Sequence, residues 1–490
     1  MSDPQRVGVS GLRDDVIAFV AVLVMAGAGT GLFFRTPASI TLGLVGGLTV
    51  GLGCSRWWRA ALVGALGVLC GYALASLVAD PGWTGGLTWI GGAFVTAALC
   101  AAIGAAVRFA LGASARLRPL MAFMAVLGIV FTMWFSGLAF STTVTAQGFV
   151  PVERLATTPA LNARVTDEDI YLNYLARLRA GDHYYPMVVS VLSRINVVRP
   201  ASPLAVKSPL AYRLPTLYWF LAWLPTSGAL VDAMLVACTF GVIAAYLLAR
   251  EFSGVVPSLA SAALVGSILS GFTGPMLLDT ESWAGIAGLC AVMFVVLAWR
   301  REKRALLFHV AAAACALLAA SLRELGVAFI VLGLIAAVAG RRRRWLWVPW
   351  VAALAATGVM YAAHWSAARA AYAGVSAVKV AAFPWWHPDG SGLISSVSLV
   401  ASHGWYAAWF AWILVVAGMI GAMLAPRDGA SRVMLVGAAV IGPLALLALH
   451  PPGWATYGVP GYWGDLVLPT TLACAPLAFI MLPGVRRAEA

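Results

Sequence analysis

An all-α, polytopic membrane helix bundle of about 14 spans is the fold class this sequence predicts, and composition, the spacing of apolar runs and the placement of charge predict it. Hydrophobic residues make up 62% of the 490 and charged residues 10%, with a mean hydropathy of +0.90, too apolar for a water-soluble domain. Apolar stretches recur at close to the roughly 20 residues a helix needs to cross a hydrocarbon core. They lie at 16–34, 38–55, 58–79, 87–108, 119–141, 228–249, 256–277, 282–299, 305–320, 325–340, 345–364, 405–425, 431–449 and 466–484.

Charge orders these spans. With the N-terminus inside, 20 of the 32 basic residues and 7 of the 19 acids fall on the cytoplasmic side, including the run Arg341 to Arg344. That surplus equals the whole formal charge of +13, as the preference of Lys and Arg for short cytoplasmic loops requires. A pI near 9.8 is therefore no sign of nucleic-acid binding, because the basic residues sit in short clusters at span ends and not on one continuous face. The reading is a multi-pass protein of the cell membrane with both termini cytoplasmic. All seven cysteines fall inside predicted spans, which argues against a disulfide framework, and the first apolar run, lacking a small-residue cleavage site, reads as a retained span.

Three outer loops have appreciable size: 142–227, 365–404 and 450–465. The first is too rich in aromatic and apolar residues for disorder. Within it, residues 167–180 place Ile170, Tyr171, Tyr174, Leu175 and Leu178 at spacings of one, three and four, the pattern of an amphipathic helix lying on the bilayer surface. Gly181 ends that helix, and His183 to Pro186 turns the chain. The stretch 207–225 is too short and too broken by proline to span, and reads as a re-entrant or surface segment bordering a cavity. The acidic knot Asp167, Glu168 and Asp169 opens the surface helix; three successive carboxylates at a bilayer edge suggest chemistry or ion binding.

These residues carry a family resemblance. Asp167, Glu168 and Tyr171, followed by Gly181 and Asp182, are similar to the D-E-x-x-Y…G-D signature in the first outer loop of class C glycosyltransferases. The stretch Lys207, Ser208, Pro209, Leu210, Ala211, Tyr212 resembles the K-P-P-L-x-Y-W element closing that loop in a group that includes protein mannosyltransferases and aminoarabinose transferases. Tyr462 to Pro469 resembles the start of their last core helix. Val206 stands where an acid commonly precedes the Lys-Pro element, and four extra spans precede the span at 119–141. The chain accordingly divides into an added transmembrane module, 1–112, and a catalytic core, 113–490.

The resemblance implies transfer of a sugar from a polyprenyl-phosphate donor to a hydroxyl of a glycan, lipid or protein acceptor at the outer face, with inversion. A hydroxyl is a poor nucleophile and needs a carboxylate to take its proton, a role that falls to Asp167. The leaving phosphate needs cations, for which Lys207, Arg213 and Arg323 are the candidates. Glu168, Asp169, Tyr171, Asp279, Glu281, Glu324 and His387 are the candidate substrate contacts. No cofactor motif is present; a divalent cation on Glu168 or Asp169, or a metal site at His387, Asp389 and His403, is left open.

Each role has a plainer competitor. Asp167 can be a helix N-cap; Asp279 and Glu281 can merely complement a helix dipole; Lys207 and Arg213 can snorkel at the interface; Arg323 can pair with Glu324; His387 can belong to an interfacial aromatic belt; and Asp465 reads as a cap of the last span. Two other function classes share the topology: a lipid-linked sugar flippase or transporter with an acid ion-coupling site, and a glycan polymerase or ligase.

Overall fold

A computed structural model describes residues 123, 126–131, 133–134, 138, 167–198, 213–273, 275–340, 345–373, 390–404, 408–425, 428–448 and 463–480. The four spans expected before residue 109, the boundary expected at 112, and the Lys207 and His387 assignments lie outside these residues. Among the described residues all regular structure is helical, and four helices are long and apolar enough to cross a membrane: Ser227–Arg250, Thr280–Arg300, Glu302–Leu322 and Gly429–Ala448.

In chain order the helices are α1 (Asp167–Arg179), α2 (Tyr184–Val198), α3 (Thr216–Trp223), α4 (Ser227–Arg250), α5 (Val255–Leu269), α6 (Thr280–Arg300) and α7 (Ala305–Leu322). They continue as α8 (Val327–Ala339), α9 (Val348–Tyr372), α10 (Ser391–Gly404), α11 (Ala408–Leu424), α12 (Gly429–Ala448) and α13 (Trp463–Ile480).

The surface helix forms as its periodicity predicts. Its end is fixed by Gly181 at φ 96, where a left-handed residue costs glycine nothing. The N–H groups of Gly181 and Asp182 donate to the carbonyls of Leu178 and Arg177, closing a Schellman turn. His183 to Pro186 does not simply turn the chain, as the sequence suggests: Tyr184 already begins α2, because proline in a first helical turn forfeits no intrahelical hydrogen bond. The expected continuous span at 256–277 breaks at Leu269 into two tight turns, Ser270–Thr273 and Pro275–Leu278. There the hydroxyls of Ser267, Ser270 and Thr273 each bond back three residues, at 2.6, 2.8 and 2.9 Å, and Pro275 cannot donate. The second outer loop also carries more helix than expected, since α9 runs on to Tyr372 and α10 occupies Ser391–Gly404.

Helix packing relies on small residues, as expected where lipid removes the usual hydrophobic drive between helices. A Cβ at Gly285 would collide with the backbone carbonyl of Asp465, bringing α6 hard against α13. Gly418 and Gly421 of α11 meet the carbonyls of Thr471 and Cys474 on α13 in the same way. Proline relieves α13 of some of its own hydrogen bonds: Pro469 has no N–H for the carbonyl four residues back, that of Asp465, which Gly285 approaches. Likewise Pro443 offers no donor to Ala439 in α12, where the helix widens into a π turn, and the Thr471 hydroxyl donates to that carbonyl at 3.2 Å. Gly285→Val should force α6 and α13 apart and cost about 1–3 kcal/mol; a denaturation titration in detergent checks it.

The two ends of the bundle differ. Arg250, Arg300, Arg301, Lys303 and Arg304 gather at one, where Arg300 donates to the Glu251 carbonyl at 2.8 Å. At the other end α1, α2 and α3 form a cap with its own apolar cluster, including Ile170, Tyr174, Tyr184, Met187, Val188 and Tyr218. Trp219, Phe220 and Trp223 of α3 face outward, Trp223 being 81% exposed. Arg179 of α1 ties the end of α3 through a 2.6 Å bond to the Leu224 carbonyl.

Candidate functional site

The cap end holds a buried cluster of charges drawn from four separate elements. Glu281, in the first turn of α6, is fully buried. Its Oε2 accepts from the Thr280 hydroxyl at 2.8 Å. Its Oε1 takes two guanidinium groups: Arg213 NH1 donates at 3.0 Å, and Arg323 Nε lies at 2.8 Å without hydrogen-bond alignment. Arg213 precedes α3, and Arg323 sits at the turn between α7 and α8, where it also pairs with Glu324 at 3.4 Å. Asp279 precedes α6, and Asp465 of α13 accepts from the Ser282 hydroxyl at 3.1 Å.

Local structure positions these groups. Arg213 lies on irregular backbone, which Tyr184 pins by donating its hydroxyl to the Arg213 carbonyl at 2.7 Å. Tyr184 stacks against Tyr218 with ring centroids 6.1 Å apart, and Tyr171 lies 5.6 Å from Tyr218. Burial above all, then neighbouring tyrosines, pushes the phenols of Tyr184 and Tyr218 well up, so both keep their protons. Burial, then the adjoining Glu281, likewise pushes the Asp279 carboxyl well up. Beside the cluster, His364 of α9 shares a 2.9 Å hydrogen bond with Tyr185 of α2, and Tyr361 donates to the Ala320 carbonyl at 2.9 Å.

The structure therefore joins five of the residues singled out from sequence: Arg213, Asp279, Glu281, Arg323 and Glu324. The expected Arg323–Glu324 pair forms, but Arg323 also belongs to the larger cluster around Glu281. Tyr171 is half-buried against Tyr218 beside them. Asp167, Glu168 and Asp169 occupy the first turn of α1, with side chains outside the described ones. That helix packs on α3 and on the turn Pro275–Leu278 that leads into Asp279. Asp465 lies in the first turn of α13, as expected of a residue at the start of the last span, and it is 1% exposed and also bonded to α6. Sequence reasoning passes over Tyr184, Tyr218, Ser282 and His364. The run of tyrosines in the first outer loop is the signal that could have pointed there.

Chemically, the cluster offers two guanidiniums converging on one carboxylate oxygen, beside carboxyls and phenols in a region shielded from water. Few buried polar side-chain atoms among the described residues lack a hydrogen-bond partner, and Arg323 Nε, Asp279 Oδ2 and Tyr218 OH are among them. Arg213 interacts electrostatically with both Asp279 and Tyr218. Unsatisfied buried groups gathered at one place mark where a ligand would supply their partners. The described residues hold no group of three or more His, Cys, Asp or Glu arranged for a metal ion, and the divalent-cation role of Glu168 or Asp169 falls on side chains outside them. Comparison of the chain with protein families, with curated proteins and with solved structures finds no match.

Proposed function

We propose that this chain is a membrane glycosyltransferase that moves a sugar from a polyprenyl-phosphate donor to an acceptor hydroxyl on a glycan, lipid or protein, at the outer face of the cell membrane and with inversion. The observation that carries this reading is the convergence of Arg213 and Arg323 on one buried carboxylate at the cap end of an apolar helix bundle. Guanidiniums held in place beforehand stabilise an anion that develops during reaction, and they do so most strongly where water is excluded. The clustering of basic residues at the opposite end supports placing the cap outside, and about fourteen spans with cytoplasmic termini complete the reading.

In the proposed step the acceptor oxygen attacks the anomeric carbon while its proton passes to the Asp167 carboxylate. The bond from that carbon to the phosphate oxygen breaks, and its electron pair leaves with the prenyl phosphate. Arg213 and Arg323 receive the growing negative charge, with Glu281 fixing both guanidiniums. The bundle surface takes the prenyl chain.

Reconstituted wild-type protein, given a polyprenyl-phosphate sugar and cell-envelope acceptors, should release free prenyl phosphate and form a glycosylated product. Arg323→Gln should slow that release about 10²–10³-fold, the loss seen when one preorganised donor is removed from a developing anion. Unchanged release in the Arg213→Gln/Arg323→Gln double variant would refute the reading. A buried Asp279 whose carboxyl is pushed well up by burial and by Glu281 also suits proton-coupled movement of a lipid-linked sugar, so translocation between leaflets without any glycosyl product would favour a flippase.

A further inference from the structure

We propose that Asp279 and Tyr218 form a hydroxyl-reading subsite next to the arginine pair, so that the bound headgroup is recognised by its sugar hydroxyls as well as by its phosphate. The inference rests on the glycosyltransferase reading and assigns the part of the headgroup that the arginines do not reach.

Asp279 stands at the N-cap position of α6, where an aspartate ordinarily accepts from the helix's first N–H groups. It does not cap: its side chain makes no such bond, whereas Thr226 accepts from Ala229 at 3.1 Å and Asp428 from Ser431 at 2.7 Å at equivalent places in this chain. Asp279 is nevertheless only 5% exposed; its carboxyl shares a hydrogen bond with Glu281, and its Oδ2 meets no protein N–H or hydroxyl donor. Tyr218, which also interacts with Arg213, repeats the pattern. Its ring is fully buried among tyrosines, yet its hydroxyl has no protein partner. Helix capping and aromatic packing therefore leave the Tyr218 hydroxyl and the Asp279 carboxyl, beyond its contact with Glu281, open to a ligand. A carboxyl and a phenol suit a sugar, because hydroxyl groups both donate and accept, whereas the guanidiniums beside them can only donate. A site built to bond a hydroxyl also rejects ligands that lack one, since its own buried groups are then left unpaired.

The test compares binding of farnesyl phosphate with binding of its mannosyl, glucosyl and ribosyl esters to protein in lipid nanodiscs. Wild type should bind at least one ester more than tenfold tighter than farnesyl phosphate. Tyr218→Phe and Asp279→Asn should bring that ratio close to one while leaving farnesyl phosphate affinity within about twofold; Arg213→Gln should weaken both ligands together. Tyr218→Phe removes only an oxygen that no protein group uses, so its melting temperature should equal or exceed that of wild type. Retention of the ester preference in both variants overturns the subsite. A Tyr218→Phe protein that melts lower than wild type and keeps the preference shows the hydroxyl to be structural and overturns it too. Wild type that binds farnesyl phosphate but prefers no ester sinks the subsite alone, and wild type that binds neither ligand sinks the glycosyltransferase reading with it.

Discussion

Asp167→Asn protein should bind its lipid donor as wild type does and turn it over about 10²–10⁴-fold more slowly, the usual contribution of a positioned general base. Asparagine keeps the size and the hydrogen-bonding ability of the first turn of α1, so helix formation survives, as asparagine and aspartate serve about equally well at helix starts. What it removes is the capacity to take a proton as the acceptor oxygen forms its new bond. Single-turnover release of prenyl phosphate, with donor binding measured in parallel, checks the prediction. Capping alone predicts a different pattern: Asp167→Ala would then destabilise the protein by about 1 kcal/mol and Asp167→Asn would turn over normally. Full turnover in Asp167→Asn therefore removes this residue from the chemistry.

Glu281→Gln should be the most destabilising single change in the described cap end, by about 3–5 kcal/mol in a denaturation titration, because it strips the shared counter-charge from two buried guanidiniums. The side chains of Arg213 and Arg323 are only 17% and 10% exposed, so water does little to compensate. Glutamine is the same size and, with its carbonyl oxygen toward Arg213 and its amide donating to the Thr280 hydroxyl, keeps a partner at each end, so the expected loss is electrostatic and not steric. A loss below about 1 kcal/mol would mean that the pair is solvated like a surface ion pair. The triple variant Arg213→Met, Glu281→Leu, Arg323→Met should recover much of the stability, since well-packed apolar groups often replace a buried ion cluster without loss. That variant should bind no anionic lipid. Recovered stability with lost binding would assign the cluster to function.

Several features were legible in the chain order alone because their causes are local. The helices at 228–249, 282–299 and 305–320 follow from runs of apolar residues bounded by polar or charged ones, and they appear within two residues of those limits at both ends. The surface helix follows from the 3.6-residue period after Asp167 and from Gly181, whose left-handed φ few other residues adopt cheaply. The break after Leu269 was less legible: its apolar run reads through unbroken, and only the hydroxyls bonding back onto their own backbone betray it. The bond of Asp465 to α6 was illegible for a related reason. An acid at a helix start fits capping from sequence, and nothing nearby in the chain announces Ser282, 183 residues away.

By itself, then, the sequence determined an apolar helical chain, the positions along it of several helices and the acids and bases that carry candidate chemistry, since hydropathy, periodicity and turn chemistry act over a few residues. Only the tertiary structure decided that Arg213 and Arg323 share one carboxylate oxygen of Glu281 and that Asp279 Oδ2 and the Tyr218 hydroxyl lie buried without a hydrogen-bond partner. Those meetings depend on how closely helices approach, which Gly285 sets by letting α6 press onto the Asp465 carbonyl. Contact across tens or hundreds of residues is a property of packing, and no local pattern encodes it.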